Sequence, residues 1–312
     1  MCGLLFSRII MSKIIFSKPA KSIDEQIALL QSRGMVIDDI SFAKKLLSQH
    51  NYYRICGYWL PFEKDHNLHL FKDGTTFKEV SEVYFFDREL RLIVFSIIEQ
   101  IEIAFRTKWA YIVAMRHGCF AYTDSKFAKN IQLFDKNNEK LKREIERSNE
   151  DFIKHYLNKY KEPSIPIWSI AEIIPLGLLS KLYKNLSEEK TKKSIANAFG
   201  SVDSTLIESW LEHLTVVRNI CAHHNRLWNR EFTVTPKHYT KPQGALAEQF
   251  VSTRKIYNTL IILMYFNSIL NNHQNWSKQL FTLLLAHEDK LSYMGFPSDW
   301  KDRNIWKGLL SF

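Results

Sequence analysis

Apolar residues recur at helical spacing along most of the chain, and short polar segments separate the periodic stretches. Near the start, Ser22 followed by Glu25 predicts a capped helix that ends at Gly34. A second short helix then leads into the aromatic segment 51–59, and helical periodicity continues without Pro or Gly over 77–117. Further helices are predicted over 175–186, 188–199, 204–225, 244–270 and 276–287.

A strongly charged stretch, 124–160, keeps its apolar residues on one face, which predicts a helical hairpin inserted into a larger domain. Its charges of both signs are interpreted as a surface that faces water. Pro163 and Pro166 mark a joint after the hairpin, and 232–242 is the least helical part of the second half. The predicted parts are an N-terminal extension (1–17), an N-terminal helical region (18–75), a helical domain that contains the hairpin (76–272) and a C-terminal helical tail (273–312).

The composition favours a mostly helical protein. Only 10 Gly and 8 Pro occur in 312 residues, fewer than a many-turned β-sandwich or a nucleotide-binding α/β protein would need. The fold class is therefore predicted to be all-α. The 43 Lys and Arg against 33 Asp and Glu leave a formal charge of +10, which favours nucleic acid as a partner, with a membrane surface second.

Neither a membrane span nor a secretory signal is predicted. The most apolar late stretch, 256–270, is too short and carries two asparagines, so it is interpreted as a buried helix. Arg8 and Lys13 interrupt the apolar first 17 residues, and a start at Met11 would remove most of them. The four cysteines have no zinc-ligand or disulfide spacing, which fits a reducing cytosol, so a cytoplasmic location is expected.

The segment 204–225 carries the sharpest chemical signal. At about 100° per residue, its polar residues form one narrow stripe and its apolar residues fill the opposite side. His223 lies in the stripe with Asn219, and Arg218 lies at its edge, so these residues are candidates for chemistry. The alternative is a helix-end Arg and a surface His near the helix dipole. The stripe consists of Glu208, Glu212, Thr215, Asn219 and His223.

His224 would fall among the apolar residues of this segment if the helix continued that far. There it would be a packed histidine that donates a hydrogen bond to a backbone carbonyl. No second Arg is followed by His at this spacing anywhere in the chain. One molecule therefore holds a single Arg and His pair of this kind.

The run 218–230 resembles the signature of the bacterial Abi-like (AbiD/AbiF) abortive-infection family, which belongs to the HEPN superfamily of all-α ribonucleases. The similarity covers about residues 18–271 in the expected order. It implies an HEPN-type helical bundle for the domain 76–272, with a smaller N-terminal helical region. The supporting matches are Lys18 and Pro19, 26–34, 51–54 with Gly57 and Tyr58, Phe77, Tyr84, 87–91, 99–106, and Ile167 with Trp168.

The resemblance maps the family's Arg-x4-6-His motif onto Arg218 and His223, with His224 as the alternative within the permitted spacing. The polar residue that often follows the Arg maps onto Asn219. HEPN ribonucleases are thought to cleave RNA without a metal, the 2′-hydroxyl attacking the adjacent phosphate. His moves a proton near neutral pH and Arg supplies a fixed positive charge, so the pair suits this reaction.

A single His cannot easily act as base and as acid on opposite sides of the phosphorus. The resemblance supplies a solution, because HEPN proteins commonly pair so that two motifs face one composite cleft. It therefore implies a homodimer with RNA as its substrate. It also implies that the toxic activity is restrained, and a neighbouring small regulatory RNA is one such restraint.

Glu99, Glu102 and Arg106 fall on one face of the long predicted helix. One interpretation is a simple ion pair within that helix. In the other, Glu102 or Arg106 supports the helix that carries the Arg and His motif, and the resemblance raises that possibility. The charged residues at 87–91 are weaker candidates, interpreted as facing solvent or a helix interface.

The aromatic and basic residues at 52–59 suggest stacking of RNA bases. The residues singled out as weaker candidates for RNA binding are Tyr53, Arg54 and, outside this segment, Arg226. Core packing of the rings is the favoured alternative. A set of lysines could follow a phosphate backbone, although a solvated helix face explains them equally well. These lysines are Lys181, Lys184, Lys190, Lys192 and Lys193.

The predicted function is a metal-independent endoribonuclease that acts as a toxin in abortive-infection antiviral defence. The alternative is a non-catalytic helical module that binds RNA or protein, in which Arg218 and His223 serve the structure. A metal-dependent nuclease ranks third, because the carboxylates and histidines of 204–225 lack a familiar ligand spacing. No cofactor is expected.

Overall fold

The computed structural model describes residues 19–162, 164–200, 202–239, 246–270, 274–307 and 309. The predicted N-terminal extension, 1–17, lies outside these residues, and so does the proposed start at Met11. The regular structure of the described part consists of thirteen α-helices, several short 3-10 turns and one two-stranded sheet, so the all-α class is confirmed. The chain divides into two compact units between Glu82 and Val83, and the finer division made from sequence stays a prediction.

The first unit begins with the capped helix that the sequence predicts. The Ser22 hydroxyl accepts from the Glu25 N–H at 3.2 Å, and the Glu25 carboxylate accepts from the Ser22 N–H at 2.6 Å, which satisfies two backbone donors. A small antiparallel hairpin follows the aromatic helix and was not predicted, because its strands are too short to show alternation. The elements are α1 (Ile23–Ser32), α2 (Ile40–Gln49), α3 (Tyr52–Trp59), β1 (Glu63–Asp65) and β2 (Leu70–Phe71).

The long predicted helix is confirmed as α4 (Phe77–His117), and the boundary between the units falls within it. The charged stretch 124–160 contains two helices, α5 and α6, and its description as an inserted hairpin stays a prediction. The helices that follow α4 in the second unit are α5 (Ile131–Arg147), α6 (Asp151–Lys159), α7 (Ile167–Ile173), α8 (Leu176–Lys184), α9 (Glu189–Asn197), α10 (Ser204–Ala222), α11 (Tyr257–Leu270), α12 (Gln274–Ala286) and α13 (Asn304–Lys307).

The helix predicted over 244–270 begins only at Tyr257, the first residue of α11. Asn258 explains the late start, because its side chain accepts from the Val251 N–H at 3.1 Å and donates to the Val251 carbonyl at 2.8 Å. The chain before α11 therefore folds back against the first turn of the helix. Residues 232–239, the described part of the stretch predicted to be least helical, contain no helix.

Aromatic rings form the core of the second unit. Phe105 of α4 contacts Tyr183 of α8 at a centroid distance of 5.2 Å and stacks on Phe199 at 5.4 Å. Phe266 of α11 contacts both Phe199 and Trp210 of α10. Fully burying side chains of this size contributes about 1.5–3 kcal/mol each, so the apolar face of α10 is held firmly in place.

The apolar stretch at 256–270 is confirmed as a buried helix, since every residue of α11 from Tyr257 to Leu263 is buried. None of the helices within the described ranges is long and apolar enough to cross a membrane.

His213 lies inside the core on α10, between two hydrogen-bond partners. Its Nδ1 lies 2.7 Å from the Val234 carbonyl oxygen, and its Nε2 lies 2.7 Å from the Thr259 hydroxyl. Burial lowers the pKa of His213 from 6.5 to about 4, because the interior cannot solvate an imidazolium. The folded protein therefore keeps this imidazole neutral.

We expect the free energy of unfolding to fall by about 3 kcal/mol as the pH drops from about 6.5 to 4. In that window the unfolded chain binds a proton at His213 and the folded chain does not, whereas at higher pH both states are neutral there. Denaturant unfolding across the window measures the loss. His213→Gln should lose less stability on acidification, and exposed His155→Gln should behave as wild type; equal pH dependence in all three proteins would contradict this.

Candidate functional site

The two faces of α10 match the helical wheel. Glu212, Asn219 and His223 are exposed, and Asp203 caps the start of the helix by accepting from the Thr205 N–H at 2.7 Å. The polar stripe therefore runs along the solvent side of a helix whose other face is fixed in the core. The buried residues of that face include Ile207, Trp210, Leu214, Val217, Ile220 and Cys221.

The end of α10 is a Schellman turn in which His223 is the C-cap. The His224 N–H donates to the Cys221 carbonyl at 3.0 Å, and the Asn225 N–H donates to the Ile220 carbonyl at 2.9 Å, the hydrogen-bond pair of that turn. His224 has a left-handed φ of 56° and an exposed side chain. The prediction that His224 packs among the apolar residues is wrong, because the helix ends before it.

Arg218 is half-buried and faces α4. Its Nε lies 3.7 Å from Oε2 of Glu102, and its guanidinium carbon lies 5.9 Å from the centre of the Phe95 ring, within the range of a cation–π contact. Its Nη1 lies 3.5 Å from Oδ1 of Asn219. Because 34% of the side chain is exposed, the guanidinium is oriented by the protein and still accessible to an anion.

Glu102 is buried and shared between two arginines. It forms the predicted ion pair with Arg106 within α4 and also reaches Arg218 on α10. Arg106 in turn donates to the backbone carbonyl of Glu172 on α7 at 2.8 Å. Glu102 thus joins α4 to α10, and its partner Arg106 joins α4 to α7. The open cleft of about 350 Å³ at this junction, here called the arginine cleft, is lined by Phe95, Glu99, Glu102, Ile103, Arg106, Glu172 and Arg218.

Asp87 anchors the segment that follows the motif. Its carboxylate is fully buried, forms an ion pair with Arg91, and accepts from the backbone N–H of Leu227 at 3.1 Å and of Trp228 at 2.6 Å. Arg88 is exposed. Of the two interpretations, solvent or a helix interface, exposure to solvent holds for Arg88, whereas Asp87 and Arg91 are buried and Asp87 binds the chain that leaves α10. Sequence inspection missed this contact, which joins residues far apart in the chain.

Arg218 and Asn219 also line a second open cleft, between α5, α8 and α10, here called the basic cleft. Lys140, Arg143 and Arg147 of α5 form one of its walls. All three side chains are exposed, in agreement with the interpretation that the charges of this stretch face water, and they also line a cleft against the motif helix.

His223 lies one helical turn beyond Asn219 on the exposed stripe, since its N–H donates to the Asn219 carbonyl at 3.0 Å. It extends the line of polar side chains that begins with Thr215 and Asn219 in the basic cleft. Arg226 is half-buried in the segment after α10, and its carbonyl accepts from Nε of Arg230 at 2.7 Å.

The candidate RNA-stacking residues lie in the first unit. Tyr53 is 73% exposed and Arg54 is half-buried, whereas Tyr58 and Trp59 are buried at 1% and 3% exposure. Core packing is thus confirmed for the later rings of α3. Tyr53 points outward and keeps a face open to solvent.

Of the lysines considered for a phosphate backbone, Lys192 does not face solvent. It is 4% exposed and forms an ion pair with Glu208 of α10, so its charge is already neutralised inside the fold. The others are exposed, and Lys184 forms an ion pair with Glu212 at 3.0 Å. Lys181 alone of this set lines the basic cleft.

Within the described residues, no group of three or more His, Cys, Asp and Glu side chains is arranged to hold a metal ion. His213 within α10 points into the core, whereas His223 at the C-cap of the helix is exposed. Burial raises the pKa of the Cys221 thiol to about 12, so this cysteine of the motif segment is not a nucleophile at neutral pH.

Residues 45–229 match a family model described as Abi-like protein. The match covers more than half of the chain and includes Asp87, Glu102 and the whole of α10. No curated protein and no solved structure matches the chain with significant similarity.

Proposed function

The chain belongs to the Abi-like protein family, and from that premise we propose that it is a metal-independent endoribonuclease of the HEPN type that acts in abortive-infection defence against phage. One observation carries the proposal. The Arg218 guanidinium is held by Glu102 and Phe95 at the edge of two clefts, with Asn219 beside it and His223 one turn away on the same exposed line.

In the proposed reaction, the 2′-hydroxyl of one nucleotide attacks its own 3′-phosphorus. The new P–O2′ bond forms as the P–O5′ bond breaks, which leaves a 2′,3′-cyclic phosphate and a free 5′-hydroxyl. One group removes the 2′-hydroxyl proton and another protonates the leaving oxygen, and His223 is suited to either task at neutral pH. Arg218 stabilises the charge on the phosphorane, and the Asn219 amide orients a phosphate oxygen.

Glu102 acts as a positioning residue in this scheme. At 3.7 Å from Arg218 Nε, the Glu102 carboxylate attracts the guanidinium electrostatically without a hydrogen bond. Because the Glu102 charge is also shared with Arg106, it orients Arg218 without fully neutralising it. The interaction with the substrate phosphate is then made by a side chain that loses little further freedom on binding.

A second copy of the chain would supply the second imidazole that the reaction needs. A candidate surface is an exposed apolar stripe on α4 formed by Phe85, Leu92 and Ile103, with exposures of 38%, 57% and 55%. Their spacings of seven and eleven residues place them on one side of the helix. Because Ile103 also lines the arginine cleft, a two-fold contact along this stripe would bring two copies of Arg218 toward each other.

We expect Leu92→Glu to give a monomer without cleavage activity and with normal helicity, because the charge would be buried at the two-fold contact. Light scattering after gel filtration and an RNA cleavage assay measure the two effects. Met115→Glu is the control, since Met115 is 71% exposed on another side of α4. Mixing active and His223→Ala subunits should also lower activity beyond simple dilution; an active Leu92→Glu monomer would exclude the composite site.

The direct test is digestion of RNA by the purified protein in excess chelator. Products with 2′,3′-cyclic phosphate and 5′-hydroxyl ends would support the proposal. Tight binding that leaves the RNA intact would instead favour a non-catalytic RNA-binding module. Sequencing of RNA ends from cells that express wild type or His223→Ala would identify the substrate in the same experiment.

A further inference from the structure

The basic cleft combines a cationic wall with an apolar floor. Its volume is about 350 Å³. The α5 wall and the floor meet where α8 crosses α10, and Gly177 permits this crossing because a Cβ there would lie only 3.0 Å from Cγ2 of Thr215. The lining residues are Lys140, Arg143, Glu144, Arg147, Pro175, Leu176, Gly177, Leu178, Lys181, Thr215, Arg218 and Asn219.

The charges in this cleft are strongly one-sided. Lys140, Arg143 and Arg147 recur at spacings of three and four residues, so they project from one face of α5. Glu144 is the one acidic residue of the lining, and it is paired with Arg147. Across the described residues, no ion pair joins a carboxylate to Lys140, Arg143 or Lys181. An anion is the ligand that this set of side chains fits.

Lys140 of α5 and Lys181 of α8 both line the cleft. Burial lowers the pKa of the Lys181 ammonium, and the neighbouring Lys140 lowers it further. The two ammonium groups repel each other, and the nearby Glu212 carboxylate offsets only part of that repulsion, whereas a phosphate between the lysines would be attracted to both. The lysines elsewhere against α10 differ in this respect, since Lys184 and Lys192 are paired with Glu212 and Glu208.

The position of the cleft relates it to the motif. Arg218 and Asn219 line it, and Arg218 also lines the arginine cleft. A strand whose scissile phosphate lies on Arg218 therefore has a path along α5 for its neighbouring phosphates. Pro175 is the apolar lining residue that can contact the sugars and bases of such a strand, because it is half-buried whereas Leu176 and Leu178 are only 1% and 4% exposed.

We propose that the basic cleft binds the phosphates of single-stranded RNA next to the scissile bond, with Lys140 and Lys181 as the principal contacts. The α5 helix of the charged hairpin is then the element that guides the substrate to Arg218. This inference rests on the proposed function for the reaction at Arg218. Binding itself can be tested without any cleavage.

The test uses the full-length protein and a fluorescent single-stranded RNA with 2′-O-methyl groups, which cannot undergo attack by its 2′-oxygen. Fluorescence anisotropy gives Kd at several salt concentrations for wild type and for the double variant Lys140→Gln/Lys181→Gln. The matched control is Lys142→Gln/Lys154→Gln, which removes the same charge from exposed positions of α5 and α6 outside the cleft. Circular dichroism confirms that each variant is folded.

We expect the cleft variant to bind at least about tenfold more weakly and to lose about 0.7 from the slope of log K against log salt for each phosphate contact removed. The control should stay within about twofold of wild type. If the cleft variant and the control variant bind the RNA with the same Kd, the proposal is overturned. Displacement of the RNA by inorganic phosphate at low concentration, with no dependence on RNA length, would also overturn it by indicating a site for a single anion.

The outcomes separate this inference from the proposed function. If the wild-type protein binds RNA through Lys140 and Lys181 but does not cleave unmodified RNA, the proposed binding site stands and the proposed nuclease activity is refuted. If the wild-type protein cleaves RNA and the Lys140→Gln/Lys181→Gln variant cleaves and binds RNA equally well, the nuclease activity stands. The proposed binding site is then refuted.

Discussion

Replacing His223 by Ala is expected to reduce RNA cleavage by about 10²–10⁴-fold, the usual contribution of a positioned proton-transfer group. Arg218→Ala should reduce the rate of RNA cleavage by about 10²–10³-fold, because a preorganised positive charge no longer stabilises the phosphorane. The loss of cleavage rate in the double variant should be smaller than the product of the two single-variant losses, since both residues act on the same transition state. His223 is exposed and Arg218 is half-buried at the edge of the polar stripe, and Glu102 keeps its ion pair with Arg106 when Arg218 is removed, so helicity should change little.

The controls for these variants are chosen by residue type and exposure. His155→Ala removes an exposed imidazole from α6, and Arg88→Ala removes an exposed guanidinium from α4. Both should cleave RNA at the wild-type rate in a single-turnover assay. A purified Arg218→Ala/His223→Ala protein that cleaves RNA as fast as wild type would refute the assignment of this site.

Asp87→Ala is expected to have the largest effect on stability, a loss of about 3–5 kcal/mol in the free energy of unfolding. The substitution leaves the buried Arg91 without its counter-ion and removes the acceptor of two backbone N–H groups, those of Leu227 and Trp228. Denaturant unfolding measures the loss. Amide hydrogen exchange should show faster exchange at Leu227 and Trp228 than in wild type.

Two further variants test whether the loss of stability is specific to the Asp87 carboxylate. Arg88→Ala changes the neighbouring exposed residue and should stay within about 0.5 kcal/mol of wild type. Asp87→Asn keeps the shape and one acceptor oxygen but not the charge, so its stability should lie between Asp87→Ala and wild type. An Asp87→Ala protein as stable as wild type would show that this buried carboxylate does not hold the segment after α10.

The parts of the fold that depend on local chemistry could be predicted from the sequence. The capping box at Ser22 and Glu25 involves residues three apart, and α4 follows from an unbroken helical period without Gly or Pro. The two faces of α10 also follow from periodicity alone. The late start of α11 could not be foreseen, because it depends on hydrogen bonds between Asn258 and Val251 in a non-helical segment.

The candidate site was only partly predictable from the sequence, because part of it depends on contacts between segments that are far apart in the chain. Arg218, Asn219 and His223 could be identified from their order on one helix. The Asp87 contact and the basic cleft depend on how α4 and α5 pack against other helices, which no spacing along the chain reveals. The exposed position of His224 depends on a helix end with His, rather than Gly, in the left-handed position.

Contacts made by Asp87 and Glu102 fix the length of α4 between these two residues. Asp87 retains the segment after α10, and Glu102, fifteen residues later, reaches Arg218; the two lie about 22 Å apart along a rigid rod. Inserting a single residue between them would rotate one carboxylate by about 100° relative to the other and detach it. Relatives that vary in length should therefore carry their insertions and deletions outside 88–101, for example in the connection between α5 and α6.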